Sequence, residues 1–273
     1  MSTRRRPPRA WLGVPRPIDP AALLGPRGLT ADVLAGRSAD GLEEADVEGT
    51  EEPEGLDDAF YASLITAQRL SRIEAVIAAR LRSVTAVLDQ LIDPHNVAAV
   101  LRSAEGLGLC ELHLVPHAAE DRVAHRRVTK DADKWIDLTV HQSGAAAAQS
   151  LRARGFEVWA GHLGGAPRPL DALPSDRPLA VLFGNEHEGP SAETLAACTG
   201  TFCIPMAGFT QSFNVSVAAA VTLHHASRAR RAFLGRAGDL DGAALGALRS
   251  RYLRLGAKLA RRLTPPSART PRE

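Results

Sequence analysis

The chain is poor in lysine, cysteine and aromatic residues. Of its 33 lysines and arginines only three are lysine, and aromatic residues make up 4% of its 273 positions. Its three cysteines, Cys110, Cys198 and Cys203, show neither the pairing of a disulfide framework nor the close spacing of a metal site. We therefore expect buried, reduced thiols and a cytoplasmic location.

The sequence also lacks long apolar runs. No run reaches the ~18 residues that a membrane-spanning helix needs, and the basic N-terminus has no apolar segment typical of a secretory signal. The nine histidines have no metal-like spacing. With 45% hydrophobic residues, the composition is typical of a soluble globular protein, for which we expect no membrane partner and no metal.

Familiar nucleotide-binding motifs are absent as well. The only G-x-G, Gly106 to Gly108, falls at the end of a predicted helix, and Glu111 stands where a Rossmann fingerprint has its third glycine. Neither a phosphate-binding G-x-x-x-x-G-K-[ST] loop nor a G-x-S-x-G elbow occurs. The missing glycine fingerprint argues against a nicotinamide enzyme.

Charge is strongly segregated along the chain, although the net charge is only +2. Residues 40–58 carry ten acidic residues and no basic one, whereas residues 226–273 carry twelve basic and three acidic ones. A basic segment of this kind can be an electrostatic footprint for nucleic acid. It is equally typical of a solvated helix in an arginine-rich chain, so charge alone leaves both interpretations open.

The pattern along the chain divides it into three parts. Residues 1–57 are rich in proline and arginine and then in acidic residues, which predicts a disordered extension. A helix is predicted to begin near Leu56, at the boundary of the second part, residues 58–235. In that part, strand-like and helix-like apolar runs then alternate. This alternation predicts an α/β fold with a parallel sheet flanked by helices. Residues 236–273 predict a basic helix and a loose tail.

Three polar stretches interrupt the α/β pattern near predicted strand ends. In "DPHNVAAVLRSAEGLG", Asn96 is placed to cap the next helix, and Arg102 falls among small and apolar neighbours, where a guanidinium would need an anionic ligand. "AVLFGNEHEGPS" brings two carboxylates and a histidine to the strand edge where parallel α/β sheets bind ligands. In "IPMAGFTQSFNVSVAAAV", Ser212 and Asn214 precede a long helix that they could cap.

Together and in this order, the three stretches resemble the motifs of the SpoU (TrmH) family of RNA ribose 2′-O-methyltransferases. "PHNVAAVLRSAEGLG" is similar to the first motif, "LFGNEHEG" to the second and "IPMAGFTQSFNVSVAAA" to the third. The resemblance covers about residues 64–231. It implies a SPOUT-type α/β fold with a deep C-terminal trefoil knot, and S-adenosyl-L-methionine as the methyl donor.

The resemblance also implies where the donor binds. It would lie bent in the knot crevice, held mainly by backbone groups, and glycines would let the backbone approach it closely. One departure is Phe213, since the family usually has leucine at this position. The implied cofactor-binding residues are Gly161, Leu163, Gly184, Gly189, Ile204, Met206 and Phe213.

For catalysis, the resemblance gives the central role to Arg102, beside the ribose hydroxyl and its neighbouring phosphate. Because the ordinary pKa of an arginine lies above ~12, the side chain is a poor base. We interpret Arg102 as an electrostatic clamp that lowers the pKa of the hydroxyl, and the phosphate is one candidate for the proton acceptor. Whether Arg102 or the phosphate takes the proton stays open at this point. The residues that would position Arg102, the ribose and the methionine moiety are Asn96, Glu186, Ser212 and Asn214.

Several basic positions match those that grip tRNA in the family, although on pattern alone surface solubility is the favoured explanation for the arginines of the first helix. The family is dimeric, which implies a homodimer with the long helix after the third motif packed between protomers. The implied RNA-binding residues are Arg69, Arg72, Arg80, His95, Arg228 and Arg230.

Two features favour the tRNA guanosine-18 members of the family: the arginine-bearing helix before the first motif and the segment "HASRARR". 23S rRNA is the main alternative substrate, but an enzyme acting on it would usually carry a separate N-terminal RNA-binding domain. A catalytically inactive RNA-binding protein of the same fold is a further alternative, which the intact set of motif residues disfavours.

Overall fold

The structure is a computed structural model that describes residues 57–117 and 134–263, with the backbone alone for residues 258–263. These residues belong to one unit, Gly55–Glu273. The predicted disordered extension, residues 1–57, lies outside the described residues except for its last position. The predicted tail beyond residue 263 also lies outside them.

Seven strands form the sheet: β1 (Val84–Asp89), β2 (Glu111–Val115), β3 (Asp137–Val140), β4 (Glu157–Gly161), β5 (Arg168–Pro169), β6 (Leu179–Phe183) and β7 (Gly200–Cys203). Their order is β3-β2-β1-β6-β4-β7-β5, and all neighbours are parallel. Every residue of β1 and of β6 is buried, as expected for strands covered on both faces.

The described residues contain seven α-helices: α1 (Asp58–Ser63), α2 (Ala67–Ala78), α3 (Pro94–Gly106), α4 (Gly144–Ala153), α5 (Ala192–Ala197), α6 (Val215–Leu234) and α7 (Gly242–Leu263). α3 and α6 contribute Val100 and Leu223 to one buried cluster with the sheet. α4 contributes Leu151 to a second cluster, against which Leu195 of α5 packs. The predicted α/β fold, a parallel sheet flanked by helices, is therefore confirmed.

None of these helices is long and apolar enough to cross a membrane, as far as the described part of the chain shows.

The order of the strands brings three loops together. β6, β4 and β7 are consecutive in the sheet and run parallel, so the segments that follow them leave from the same edge. A 3₁₀ turn at Leu170–Ala172 and strand β5 lie between β4 and β6 in the chain. The carboxyl edge formed by these three strands is where a ligand site of this fold class is expected.

The structure differs from the sequence prediction at its edges. The helix predicted as continuous from near Leu56 is two helices, because Thr66 begins a new one by accepting a hydrogen bond from Arg69 N at 3.2 Å. β3 is an edge strand with mostly exposed side chains, and β5 has two residues. Neither has the buried apolar run by which the other strands were predicted.

The basic C-terminal helix α7 packs on α1 and α2. Tyr252 and Leu253 of α7 are buried in a cluster with Ile73 and Ile77 of α2. Arg249 of α7 adds ion pairs, at 2.7 Å to Glu74 and at 3.1 Å to Asp58. Part of the positive charge of this helix is thus used inside the protein and is not available to a partner.

Arg80 is the largest departure from prediction, because it is buried and held within the protein. Its guanidinium is 1% exposed and forms an ion pair with Glu105 at 3.0 Å. It also donates to the carbonyl oxygens of Leu109, at 3.0 Å, and of Trp135, at 3.1 Å. The guanidinium lies 5.5 Å from the centre of the Tyr252 ring. The expectation that Arg80 contacts RNA is corrected here: in this structure it joins α2, α3 and α7.

We expect Arg80→Ala to lower the free energy of unfolding by about 3 kcal/mol, since it leaves the buried carbonyl of Leu109 without its donor and Glu105 without its partner. Urea denaturation measures this. Arg72→Ala, at an exposed position of α2, is the control and should change stability by no more than about 0.5 kcal/mol. Equal stability of the two variants would contradict the structural role.

Candidate active site

A cavity of about 540 Å³ lies at the carboxyl edge of β4, β6 and β7. Its wall is built by the segments that follow these strands and by the start of α6. Much of the lining is contributed by glycine or by short segments between elements, so backbone groups face the cavity alongside side chains. All seven of the predicted cofactor-binding residues line it: Gly161, Leu163, Gly184, Gly189, Ile204, Met206 and Phe213.

Gly184 is required by the protein backbone itself. A Cβ at this position would lie 2.2 Å from Pro190 N and 2.5 Å from the carbonyl carbon of Gly189. The loop 185–190 therefore folds back onto the end of β6 only because Gly184 has no side chain. At Gly161, by contrast, a Cβ would make ordinary contacts of 3.6 Å. From the sequence, both positions are expected to be glycine because a ligand approaches the backbone closely. In the structure, Gly184 is required because the protein's own backbone approaches it.

A line of polar side chains connects the three motif stretches. Asn96 Nδ2 donates to Glu186 Oε1 at 2.9 Å, and Asn214 Nδ2 donates to Asn96 Oδ1 at 3.2 Å. Glu186 also accepts from two backbone amides, Ile92 N at 3.0 Å and Asp93 N at 3.5 Å. The carboxylate thus fixes the loop before α3, while Asn96 connects α3 to the start of α6.

Glu186 is held in its ionised form. Burial acts to raise the pKa of this carboxyl, but the hydrogen bonds from Ile92 N and Asn96 outweigh burial and lower the pKa below its ordinary value. A carboxylate with a lowered pKa that already accepts three hydrogen bonds is a weak proton acceptor. The contacts of Glu186 therefore indicate that it holds the loops together and does not take up a proton.

The helix cap of α3 differs from the sequence interpretation. Asp93 is the N-cap, and its side chain accepts from His95 N at 2.8 Å. Asn96 lies inside the first turn, buried, with its carboxamide directed to Glu186 and Asn214. The interpretation of Asn96 as a cap is therefore wrong, and its side chain is free of that task because Asp93 performs it.

The start of α6 agrees with the expectation that Asn214 can cap this helix. Asn214 is the N-cap of α6 and accepts from Ser216 N at 2.9 Å. The same side chain donates to Asn96, so it caps the helix and joins the polar line. Ser212 is exposed and lines the cavity together with Asn214 and Glu186.

Arg102 is exposed, contrary to the expectation from its small and apolar neighbours. It lies on the side of α3 that faces away from the buried Leu101 and Ala104. Within the described residues, no hydrogen bond or ion pair to its guanidinium is found. The side chain does not line the cavity, so any ligand that it binds approaches from the open side of α3.

The other predicted RNA-binding residues fall into two groups. Arg72, His95 and Arg228 are exposed, and Arg69 is half-buried. Arg230 is tied to the protein: it donates to Ser83 Oγ at 2.8 Å and to Ser175 O at 3.1 Å.

Sequence reasoning missed several residues that line the cavity. Asn185 stands directly before Glu186 in the second motif stretch, but no role for it is predicted from the sequence. His162 follows Gly161, and Cys203 precedes Ile204, so adjacency to assigned residues was the available signal. The other lining residues without a predicted role are Phe183, Pro190, Phe202, Gln211, Val215 and Ala218.

In residues 57–117 and 134–263, no group of three or more histidine, cysteine, aspartate or glutamate side chains could hold a metal ion.

Comparison with known families identifies one match. Residues 83–224 match the SpoU rRNA Methylase family. The matched segment begins just before β1 and ends within α6, so it contains all three motif stretches and every strand of the sheet.

Comparison with characterised relatives gives a consistent result. The tRNA (guanosine(18)-2′-O)-methyltransferase of Thermus thermophilus is 39% identical over 165 residues, which are 60% of this chain and 84% of the relative. The enzyme of the same name from Escherichia coli is 32% identical over 163 residues, which are 60% of this chain and 71% of the relative.

Among solved structures, the TrmH/SpoU tRNA modifying enzyme of A. aeolicus is similar in fold. It superimposes with a TM-score of 0.59 at 24% identity, covering 72% of this chain and 98% of that one.

The steric role of Gly184 can be tested against that of Gly161. We expect Gly184→Ala to lower the free energy of unfolding by about 1–3 kcal/mol, because its Cβ overlaps backbone atoms that cannot rotate away. Gly161→Ala, with ordinary contacts, should change stability by no more than about 0.5 kcal/mol. Chemical denaturation of both variants measures the difference, and equal losses would show that the overlap is relieved without cost.

Proposed function

The chain belongs to the SpoU rRNA Methylase family, and we propose that it transfers a methyl group from S-adenosyl-L-methionine to the 2′-hydroxyl of a ribose in RNA. One observation carries the proposal: the Glu186–Asn96–Asn214 line joins the three motif stretches beside a cavity at the carboxyl edge of the sheet. The names of the relatives from Thermus thermophilus and Escherichia coli support the same chemistry.

The cavity suits the donor in size and in kind. A volume of about 540 Å³ lies within the range of small-molecule sites, ~300–1,000 Å³. Gly161 lines the cavity with backbone atoms alone, since it has no side chain. The backbone near Ile204 and Met206 offers donors and acceptors. When bound, S-adenosyl-L-methionine supplies a methyl group activated by its sulfonium.

Arg102 is proposed as the residue that acts on the ribose. His95, Ala99 and Arg102 are spaced by four and three residues on α3 and are all exposed, so they share one open face. The small Ala99 leaves space on this face between a histidine and a guanidinium. An unpaired guanidinium beside a ribose 2′-hydroxyl would stabilise its deprotonated form and bind the adjacent phosphate.

The destination of the proton follows from the state of Glu186. Because hydrogen bonds hold its pKa low and occupy its oxygens, Glu186 is proposed to position the loop before α3 and not to act as base. The substrate phosphate next to the reacting ribose is the proposed acceptor. Ser212 and Asn214 line the cavity and are proposed to orient the donor and the ribose.

The RNA would extend from this site over the exposed Arg72, His95 and Arg228 and the half-buried Arg69. Phosphate contacts of this kind predict affinity that falls steeply with salt. Arg80 is left out of this surface because it is buried, and Arg230 because its guanidinium is engaged within the protein.

Two further properties are proposed from the family resemblance: a knotted backbone in the segment that ends in α6, and a homodimer with α6 between the protomers. The second has support in the exposed apolar side chains of that helix. Val217 is 46% and Val221 39% exposed, and they stand one helical turn apart on the same face.

The proposed substrate is guanosine 18 of tRNA, because the relatives at 39% and 32% identity carry that activity in their names. The alternatives are ribosomal RNA, which the family name mentions, and loss of catalysis with retained RNA binding. All the assigned motif residues are present, which favours an active enzyme.

Mapping of ribose methylation in tRNA and rRNA, with and without the gene, tests the substrate. We expect methylation at tRNA position 18 to disappear in the deletion strain and to return with the wild-type gene. A change confined to 23S rRNA would overturn the tRNA proposal and keep the chemistry. No change at any ribose would overturn the enzymatic function.

Arg102→Ala should lower kcat by about 10²–10³-fold, because it removes the charge that stabilises the developing oxyanion. Binding of S-adenosyl-L-methionine, measured by calorimetry, should be unchanged, since Arg102 does not line the cavity. Arg102→Lys keeps the charge but loses the planar fork, so it should recover part of the rate. The control is Arg228→Ala, an exposed residue of α6, which should weaken RNA binding with little change in kcat. Normal turnover by Arg102→Ala would refute the assignment.

A further inference from the structure

Asn185 is bound through its whole carboxamide. Its Oδ1 accepts from His187 N at 2.8 Å and from Glu188 N at 3.3 Å, which shapes its own loop. Its Nδ2 donates to Gln90 O at 3.1 Å, across to the end of β1. One side chain therefore connects the loop after β6 with the segment before α3.

The segment that receives this bond has an unfavourable backbone conformation. Gln90 has φ 59°, and within the described residues it is the one position other than glycine with a positive φ. Such a conformation persists where the surrounding structure holds it in place. Gln90 is held on both sides: its N–H donates to Val115 O at 2.8 Å, and its carbonyl accepts from Asn185.

Asn185 and Glu186 hold the same segment through opposite chemistry. Asn185 donates to the carbonyl at position 90, and Glu186 accepts from the amides of Ile92 and Asp93. Two adjacent residues of one loop thus satisfy both a carbonyl and two amides of the segment 90–93. Helix α3 begins at the next residue and carries Asn96 and Arg102.

We propose that Asn185 is a positioning residue for the reaction: through its bond to Gln90 it fixes the turn that sets the start of α3, and with it the position of Arg102 relative to the cavity. The inference rests on the proposed methyl transfer and assigns it a residue with no role in the sequence interpretation. Asn185 acts here through α3, while its Oδ1 maintains the loop that lines the cavity.

Asn185→Asp separates these two tasks. The carboxylate keeps an acceptor for His187 N and Glu188 N but has no N–H for Gln90 O, and its charge faces that carbonyl. We expect kcat to fall about tenfold or more, since small displacements of a catalytic group cost that much. The Kd for S-adenosyl-L-methionine should weaken by no more than about threefold, because the cavity loop is kept. Amide hydrogen exchange at Ile92 and Asp93 should become faster.

The matched control is Gln149→Glu, which makes the same amide-to-carboxylate change at an exposed position of α4. It should leave kcat, donor affinity and hydrogen exchange at the wild-type values. Thermal denaturation of both variants checks that each is folded at the assay temperature.

The outcomes distinguish the two proposals. Unchanged kcat in Asn185→Asp, or donor affinity weakened as much as kcat, would overturn the positioning role. Slow exchange at Ile92 and Asp93 in that variant would overturn it as well, whatever the activity. If the wild-type protein transfers no methyl group to any RNA, the proposed function fails, and the exchange measurement still decides whether Asn185 holds the segment.

Discussion

The site depends on one buried carboxamide, that of Asn96. It donates to Glu186 and accepts from Asn214, and so joins residues 90 and 118 positions away in the chain. A carboxamide suits this place because it offers a donor on one side and an acceptor on the other. Aspartate would lose the donor and face a second carboxylate, and leucine could form neither of the two hydrogen bonds. Loops from three parts of the sequence meet at this point.

In this arrangement the residue that organises the loops, Glu186, differs from the residue that is proposed to act on the substrate, Arg102. Glu186 accepts hydrogen bonds that lower the pKa of its carboxyl, and these same bonds organise the loop before α3. Its charge is balanced by N–H groups of the protein. Arg102 is exposed and unpaired in the described structure, which keeps its charge available for an anionic substrate. A cation neutralised within the protein, as Arg80 is by Glu105, could not serve in this way.

The sequence predicts most of the sheet and of its covering helices, because buried strands need continuous apolar runs and those are visible in the chain. The sequence does not predict features that depend on contacts between elements distant in the chain. Arg80 was expected to contact RNA together with Arg69 and Arg72. It lies beyond the end of α2 at Ala78, however, and its guanidinium pairs with Glu105 instead. Arg102 was expected among its apolar neighbours, yet the helix turns it away from them. The edge strand β3 carries no apolar run that could have revealed it.

The candidate site was predicted from the resemblance of the three motif stretches to a known family, and the structure gives a physical reason why some of its positions are restricted to one kind of residue. Where a side chain makes the essential contact, as those of Asn96, Glu186 and Asn214 do, few residue types offer the required donors and acceptors. Where the backbone forms the wall, as near Ile204 and Met206, many side chains satisfy the same geometry. Phe213 illustrates the second case: the residue is 42% exposed and lines the cavity. At Gly184 the backbone contact with Pro190 admits no side chain at all, so a contact of the backbone fixes the residue type there.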